Sequence, residues 1–130
     1  VDAAMEECSF QKAVRAQRAA WQAANVYFNQ KEPWAHVKAS KAAAAVTLST
    51  CVHLCRSFAI LGAPFIPSAG RQIFANLGLD GSPETAAWAA VEDWACLTGR
   101  TIHPRPTPLF EKIEDAQIAE LQDRFAGSCD

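Results

Sequence analysis

The sequence lacks most of the features by which a catalytic or membrane-bound protein is recognised. It has no glycine-rich phosphate loop, no suggestive order of serine, histidine and acid, and no pair of carboxylates placed for acid–base work. No apolar run approaches the ~20 residues that a membrane span needs, and the N-terminus has no signal-peptide layout. We therefore expect no catalytic residues in this chain and no membrane partner.

The five cysteines show no disulfide framework, and their number is odd. Cys51 and Cys55 could share a metal ion, but a structural zinc site needs four ligands and no second pair stands at ligand spacing. His53 lies two residues from each cysteine, so on a helix it points away from both. We interpret the pair as small core residues, and we expect reduced thiols, no metal site and a cytoplasmic protein. A small metal or redox protein that uses Cys51 and Cys55 stays as an alternative.

Composition predicts a single all-α domain over residues 1–130. Half of the residues are hydrophobic, and many of these are alanine, which favours closely packed helices over strands. The net charge of −2 is unevenly distributed. Residues 1–75 carry eight Lys/Arg against four Asp/Glu, whereas residues 76–130 carry four against ten. A basic front and an acidic back fit an anionic partner that approaches from one side.

Two long helices are predicted in the first half of the chain. Apolar residues recur at steps of three and four, which predicts a helix over residues 6–30. Its seam consists of Phe10, Val14, Gln17, Trp21, Ala24 and Phe28. A wide apolar stripe predicts a second, central helix over residues 34–61, with Gly62 as its C-terminal cap. One row of that stripe consists of Ala44, Leu48, Cys51, Cys55 and Phe58.

Two shorter helices are predicted next. The first runs over residues 67–77 and buries Ile73, Phe74 and Leu77. The second begins with Ser82 as N-cap and Pro83 in its first turn, and it ends before Gly99. Its inward side consists of Trp88, Val91 and Ala95.

The C-terminal region is predicted to be a strap followed by one more helix. Prolines at 104, 106 and 108 exclude a helix over residues 99–112, so this segment should lie extended across the bundle. Its anchors are Ile102, Leu109 and Phe110. Asp115 is predicted to cap a last helix that ends at Gly127. The apolar side of that helix consists of Ile118, Leu121 and Phe125, with Ile113 available as a staple.

The junction between the two long helices places a large aromatic residue among basic ones. Pro33 pushes Glu32 out of helical geometry and is tolerated in a first turn, so one helix stops and Trp34 opens the next. The basic neighbours of this corner are Lys31, His36, Lys38 and Lys41. One interpretation is a core tryptophan that closes the junction. The other is a stacking platform for an unpaired base, worth roughly 1–3 kcal/mol.

Three segments in this order resemble the C-terminal helical domain of methionyl-tRNA synthetases. They are "AVRAQRAAWQAANVYFNQKEPW", "LGAPFIPSAGRQIFANLGL" and "PLFEKIED". The resemblance covers essentially the whole chain and implies the anticodon-binding fold of class I aminoacyl-tRNA synthetases. That fold is an all-α bundle of about five helices, here with an extended proline-rich strap. In that family the bundle reads the CAU anticodon.

The resemblance implies partners and a binding site. The family's proline–tryptophan step matches Pro33 and Trp34, which implies that Trp34 stacks on an anticodon base. Around it we expect RNA contacts from Lys31, His36, Lys38 and Lys41. The implied partners are the anticodon loop of tRNA and the catalytic domain of a methionine–tRNA ligase. This chain should hold no cofactor itself, whereas the parent enzyme would use ATP and Mg²⁺.

The sequence departs from the family's pattern in two ways. The family's other anticodon-reading residues, an asparagine and an arginine, lie on a helix that precedes the first one here, and the catalytic domain is missing. We therefore expect an exposed apolar patch on the first helix, because Phe10, Val14 and Trp21 need packing partners on both sides of that helix. Trp34 should be exposed, whereas the inward positions of Trp21 and Trp88 predict burial of those rings. The alternative function is a stand-alone interaction or dimerisation module without tRNA activity.

Overall fold

The computed structural model describes residues 1–102 and 108–126, and all regular structure within these ranges is helical. The predicted all-α class is therefore confirmed. The α-helices are α1 (Asp2–Glu6), α2 (Phe10–Lys31), α3 (Pro33–His36), α4 (Lys41–Gly62), α5 (Pro67–Asn76) and α6 (Asp115–Phe125). A 3₁₀ helix (Trp88–Glu92) lies between α5 and α6.

The central element is α4, which contacts α2, α3, α5 and the 3₁₀ helix. Ala59 and Ile60 from α4 meet Phe74 from α5 in the core. Trp88 and Val91 of the 3₁₀ helix pack against this cluster from outside and stay partly exposed. The core is therefore built mostly by the α4–α5 contact, and the predicted burial of Trp88 is only partly realised.

Gln17, the polar residue in the α2 seam, explains how closely α2 and α4 approach. Its side chain is buried and its amide lies 3.4 Å from the Phe58 carbonyl. With the amide turned over, its nitrogen donates to the Leu61 carbonyl and its oxygen accepts from the Gly62 N–H, both at 3.1 Å. A Cβ on Gly62 would lie 2.7 Å from the Gln17 amide. Gly62 therefore permits a close helix contact and remains helical, so its predicted role as a cap was wrong.

The second long helix begins later than predicted, because Ser40 caps a new start. The Ser40 backbone is extended and its hydroxyl accepts a hydrogen bond from the Ala43 N–H at 3.3 Å. Residues 37–40 thus separate the four-residue α3 from α4. The first helix also begins later than predicted, at Phe10, because Cys8 has a φ of 54° and breaks the chain after α1.

By length and composition alone, α4 is apolar enough to cross a membrane. It has 22 residues and a mean hydropathy of 1.5 in its most apolar window, so the expectation that no such run exists was wrong on this criterion. A central helix of a bundle passes the same test, and α4 carries neighbours from α2, α3 and α5. Within the described residues, 33% of that window is buried.

The helix predicted over residues 83–98 does not form. Ser82 turns its hydroxyl to the N–H and carboxylate of Glu84, which is also paired with Arg71 of α5. These bonds close a local turn at the position where a helix would begin. Only the 3₁₀ helix follows, and Ala95, predicted to point inward, is exposed.

The C-terminal helix forms, but it does not pack on the bundle. Its N-cap is Glu114, which exchanges hydrogen bonds with Gln117 in a capping box, so the predicted cap at Asp115 was one residue late. Its apolar residues face solvent, namely Ile118, Leu121 and Phe125. Among the described residues, α6 makes no extensive contact with another helix. The predicted end at Gly127 lies outside the described residues.

The described part of the strap is not helical, as predicted, although its anchors are weak. Ile102, Leu109 and Phe110 are all exposed, and Phe110 keeps 69% of its surface in solvent. The Gln72 side chain of α5 donates a hydrogen bond to the Pro108 carbonyl at 3.1 Å. This polar contact fastens the strap where the apolar anchors do not. The prolines at 104 and 106 lie outside the described residues.

Candidate nucleic-acid interface

The corner between α2 and α3 turns within a single residue. Glu32 has φ 36° and ψ 57°, in the left-handed region, and serves both as C-cap of α2 and as N-cap of α3. Its N–H still donates to the Phe28 carbonyl at 3.2 Å. Pro33 follows as the first residue of α3 and is buried. Because proline disfavours helical geometry in the residue before it, the sequence itself forces this break.

Trp34 stands on the outer side of this corner. It keeps 55% of its surface exposed, which confirms the predicted exposure. The ring of Phe28, in the last turns of α2, lies 5.2 Å from the Trp34 ring, centroid to centroid, at an interplanar angle of 62°. This is the edge-to-face arrangement that aromatic pairs prefer. Trp34 is thus an exposed ring with a partner ring behind it.

The basic residues predicted for the site all lie on the surface around this corner. Lys31, His36, Lys38 and Lys41 are exposed. Within the described residues, none of these lysines has an acidic partner at salt-bridge distance. The Lys31 ammonium lies 5.9 Å from the centroid of the Tyr27 ring, within reach of a cation–π interaction. The corner therefore offers unpaired positive charge beside an open aromatic face.

Phe28 is the residue of this site that sequence reasoning missed. The helical period placed it on the inward seam, and it is in fact half-buried. Its contact with Trp34 depends on the left-handed turn at Glu32, whose geometry the sequence pattern does not specify. The sequence signal for this contact was an aromatic residue at position 28, in the last turns of the helix before Pro33 and Trp34.

The cysteine pair, predicted to be small core residues, is not enclosed in the core. Cys51 is half-buried and Cys55 is exposed, and both line an open cavity with Trp21 and Phe58. Burial raises the pKa of both thiols, and the nearby Cys51 raises the pKa of Cys55 further. Protonated thiols are poor ligands and weak nucleophiles. Among the described residues there is no group of three or more side chains able to hold a metal ion.

His53 lies away from the corner, on α4. His53 is buried on the opposite side of α4 from the cysteines, with its ring 4.6 Å from that of Trp94, so the prediction that it points away from them is confirmed. His103 lies outside the described residues.

The first long helix exposes apolar side chains, as predicted. Phe10 and Val14 keep 59% and 45% of their surfaces in solvent, beside an open depression of about 550 Å³ that Phe65 also lines. Trp21 is 39% exposed, so its predicted burial was wrong. Its ring lies 6.2 Å from that of Phe58, centroid to centroid, and both rings line an open cavity together with Leu109 and Phe110.

The fold is helical, and its corner carries an exposed aromatic ring among lysines without acidic partners within the described residues. These features are typical of a class of protein, the helical domains that bind single-stranded nucleic acid by stacking on bases and by contacting phosphates with basic side chains. Comparison with known proteins specifies the family. The whole chain, residues 1–130, matches the model of the family described as the anticodon binding domain of methionyl tRNA ligase. The chain belongs to this family, and its function is that of an anticodon-binding domain.

Individual relatives agree with this assignment. The chain is 41% identical over 130 residues to a methionine–tRNA ligase of Maricaulis maris. It is 38% identical over 128 residues to that of Caulobacter vibrioides, and 33% identical over 127 residues to that of Streptomyces avermitilis. Each alignment covers 95% of this chain and 22% of the relative, so the chain spans under a quarter of these proteins. No solved structure matches it. A stand-alone interaction module is not favoured.

Proposed function

We propose that this chain binds the anticodon loop of methionine tRNA as part of a cytoplasmic methionine–tRNA ligase, and so supports aminoacylation in translation. The observation that carries the proposal is Trp34, a large ring that is more than half exposed at a basic corner. Unstacked loop bases are bound by just such rings. Trp34 stacks on one anticodon base, and the buried Pro33 before it, the first residue of α3, fixes where the ring stands.

The lysines of the corner supply the second part of binding. Lys31, Lys38 and Lys41 are exposed and lack acidic partners within the described residues, so they are free to contact phosphates. His36 lies in α3, two residues after Trp34, and borders the loop. The excess of basic residues in the first 75 positions steers an RNA toward this side.

The chemistry of aminoacylation belongs to other parts of the parent ligase. ATP and Mg²⁺ are the cofactors that we assign to that enzyme, and the described residues offer no ligand cluster that fits the metal ion. This chain binds and orients the anticodon arm. Its partners are accordingly the tRNA and the catalytic domain of the ligase.

A titration with short RNA stem–loops tests the proposal. One loop carries CAU and the other the same bases in scrambled order, and each is measured against the wild-type chain, Trp34→Ala and Lys38→Ala at two salt concentrations. Trp34→Ala should weaken CAU binding by about 1–3 kcal/mol at both concentrations, because stacking releases no counterions. Lys38→Ala should reduce the salt slope by about one unit and leave base preference unchanged.

Two results would contradict the proposal. One is equal affinity for both loops, unaffected by Trp34→Ala. The other is a lower melting temperature of Trp34→Ala with RNA affinity unchanged once the folded fraction is corrected. Either result would make Trp34 a packing residue of the α2–α3 junction and reopen the interaction-module interpretation.

A further inference from the structure

We propose that Phe28 is a positioning residue for RNA binding: it holds the Trp34 ring in the orientation that receives a base. This inference rests on the proposed function, and it adds a residue of α2 to a site otherwise formed by the corner, α3 and the start of α4. Phe28 itself touches no RNA. It acts through the edge-to-face contact with Trp34, at 5.2 Å between ring centroids and 62° between ring planes.

The two residues differ in how firmly the backbone holds them. Phe28 belongs to a helix of 22 residues that packs along α4. Trp34 belongs to a helix of four residues, whose hydrogen bonds include His36 N–H to the Glu32 carbonyl at 3.2 Å and Val37 N–H to the Pro33 carbonyl at 3.0 Å. With more than half of its surface in solvent, the Trp34 ring has few neighbours that select a rotamer. The Phe28 ring limits the rotamers of Trp34 through its contact with the Trp34 ring.

A ring that is already ordered binds a base with a smaller loss of freedom. Immobilising an exposed side chain on binding opposes affinity, and preorganisation removes part of that opposition. An aromatic pair also contributes beyond the area that it buries. Replacing the Phe28 ring by an aliphatic side chain should therefore weaken RNA binding by about 2- to 10-fold, less than the loss of Trp34 itself.

A purely structural role predicts a different pattern. If the Phe28–Trp34 contact only fastens α3 to α2, its loss lowers stability and leaves the affinity of the folded chain unchanged. The chain offers a matched control, because Phe58 makes a similar edge-to-face contact, at 6.2 Å and 70°, with Trp21, which precedes Phe28 on α2 by about two turns. Phe58→Leu should lower stability without changing RNA affinity.

The experiment is a double-mutant cycle on the full chain with the CAU stem–loop. Phe28→Leu, Trp34→Ala and the double variant are titrated at two salt concentrations, together with Phe28→Tyr and Phe58→Leu. We expect Phe28→Leu to weaken binding equally at both salts, Phe28→Tyr to restore it, and Phe28→Leu to have no effect in the Trp34→Ala background. If Phe28→Leu is unfolded, Phe28→Met replaces it with the same expectations.

A second readout needs no RNA. In the chain labelled with 5-fluorotryptophan, the Trp34 resonance is assigned by its absence in Trp34→Phe. It should move toward the value of a free side chain in Phe28→Leu and stay in place in Phe58→Leu. An unmoved Trp34 resonance in Phe28→Leu would overturn the inference.

The binding data separate the inference from the proposed function. Weak binding by Trp34→Ala together with wild-type affinity of Phe28→Leu overturns the positioning role and leaves the proposed function standing. Wild-type affinity of Trp34→Ala overturns both. Loss of affinity in Phe28→Leu that persists in the Trp34→Ala background also overturns the positioning role, because Phe28 would then act independently of Trp34.

Discussion

In residues 1–79 the helices α2 and α5 pack on the central helix α4. Residues 80–102 and 108–126, in contrast, contain one 3₁₀ helix and the helix α6, which stands apart from the other helices. Both regions contain apolar residues at helical spacing. In the first region α5 packs its apolar side on α4, whereas the seam of α2 meets α4 only in part and leaves Phe10, Val14 and Trp21 exposed. In the second region the apolar stripe of α6 faces solvent. An apolar period in the sequence therefore predicts a helix, but it does not predict which part of the fold packs against the apolar face of that helix.

The largest expected difference between the regions is in the response to losing a phenylalanine ring. Phe74 is buried against Ala59 and Ile60, so Phe74→Ala should lower the free energy of unfolding by about 3–5 kcal/mol. Phe125, in α6, is 72% exposed, so Phe125→Ala should change it by less than about 0.5 kcal/mol. Denaturant unfolding of both variants checks this. Similar losses would mean that α6 packs on the bundle in solution.

A smaller effect is expected at the joint between the two regions. Arg56 of α4 is buried, and its guanidinium donates to the Ala90 carbonyl in the 3₁₀ helix at 2.7 Å. Arg56→Met should lower the free energy of unfolding by about 1.5–3 kcal/mol, because a buried charge-assisted hydrogen bond is lost. Amide exchange of Asp93, which donates to the same carbonyl, should accelerate. Unchanged exchange would show that the 3₁₀ helix forms without α4.

The close contact between α2 and α4, where Gln17 meets Gly62, should give an effect of similar or smaller size. In Gly62→Ala the new methyl group would approach the Gln17 amide at 2.7 Å, so the free energy of unfolding should fall by about 1–3 kcal/mol. In a Gln17→Ala background the same substitution should cost less, because the obstructing amide is gone. Thermal unfolding of the three variants measures the coupling. Strict additivity would mean that α2 and α4 are further apart than described.

The smallest effect concerns the turn that opens the second region. The pKa of the Glu84 carboxyl group lies below its ordinary value of 4.5. The largest cause is the hydrogen bond from the Ser82 hydroxyl, followed by the backbone N–H of Glu84 itself and by Arg71. A lowered folded-state pKa gives stability that is present above 4.5 and lost as the pH falls through the folded pKa. Glu84→Gln should therefore be slightly less stable than wild type at neutral pH, and the two should converge in acid.

Denaturation of both chains across this pH range measures the convergence. Ser82→Ala is the matched variant, because it removes the largest of these influences and should flatten the same part of the profile. A constant gap between wild type and Glu84→Gln at all pH values would contradict the assignment.

The failures of sequence reasoning share one physical cause. The predicted helix after Pro83 had a proper cap and spacing, yet the Glu84 carboxylate is held by the Ser82 hydroxyl and by Arg71 of α5. Trp21 lay on an inward seam, yet its side chain stays 39% exposed beside the ring of Phe58 on α4. Each outcome depended on a contact between residues distant in sequence. Local patterns do not record such contacts.

By itself the sequence determined the all-α class, the stop at Pro33 and the span of α5, because these follow from backbone restriction and from apolar period over a few turns. Only the tertiary structure decided the rest. The left-handed turn at Glu32 brings Phe28 behind Trp34, and the approach of α2 to α4 buries Gln17 beside Gly62. These contacts join residues of different helices, so they exist only once the helices have packed.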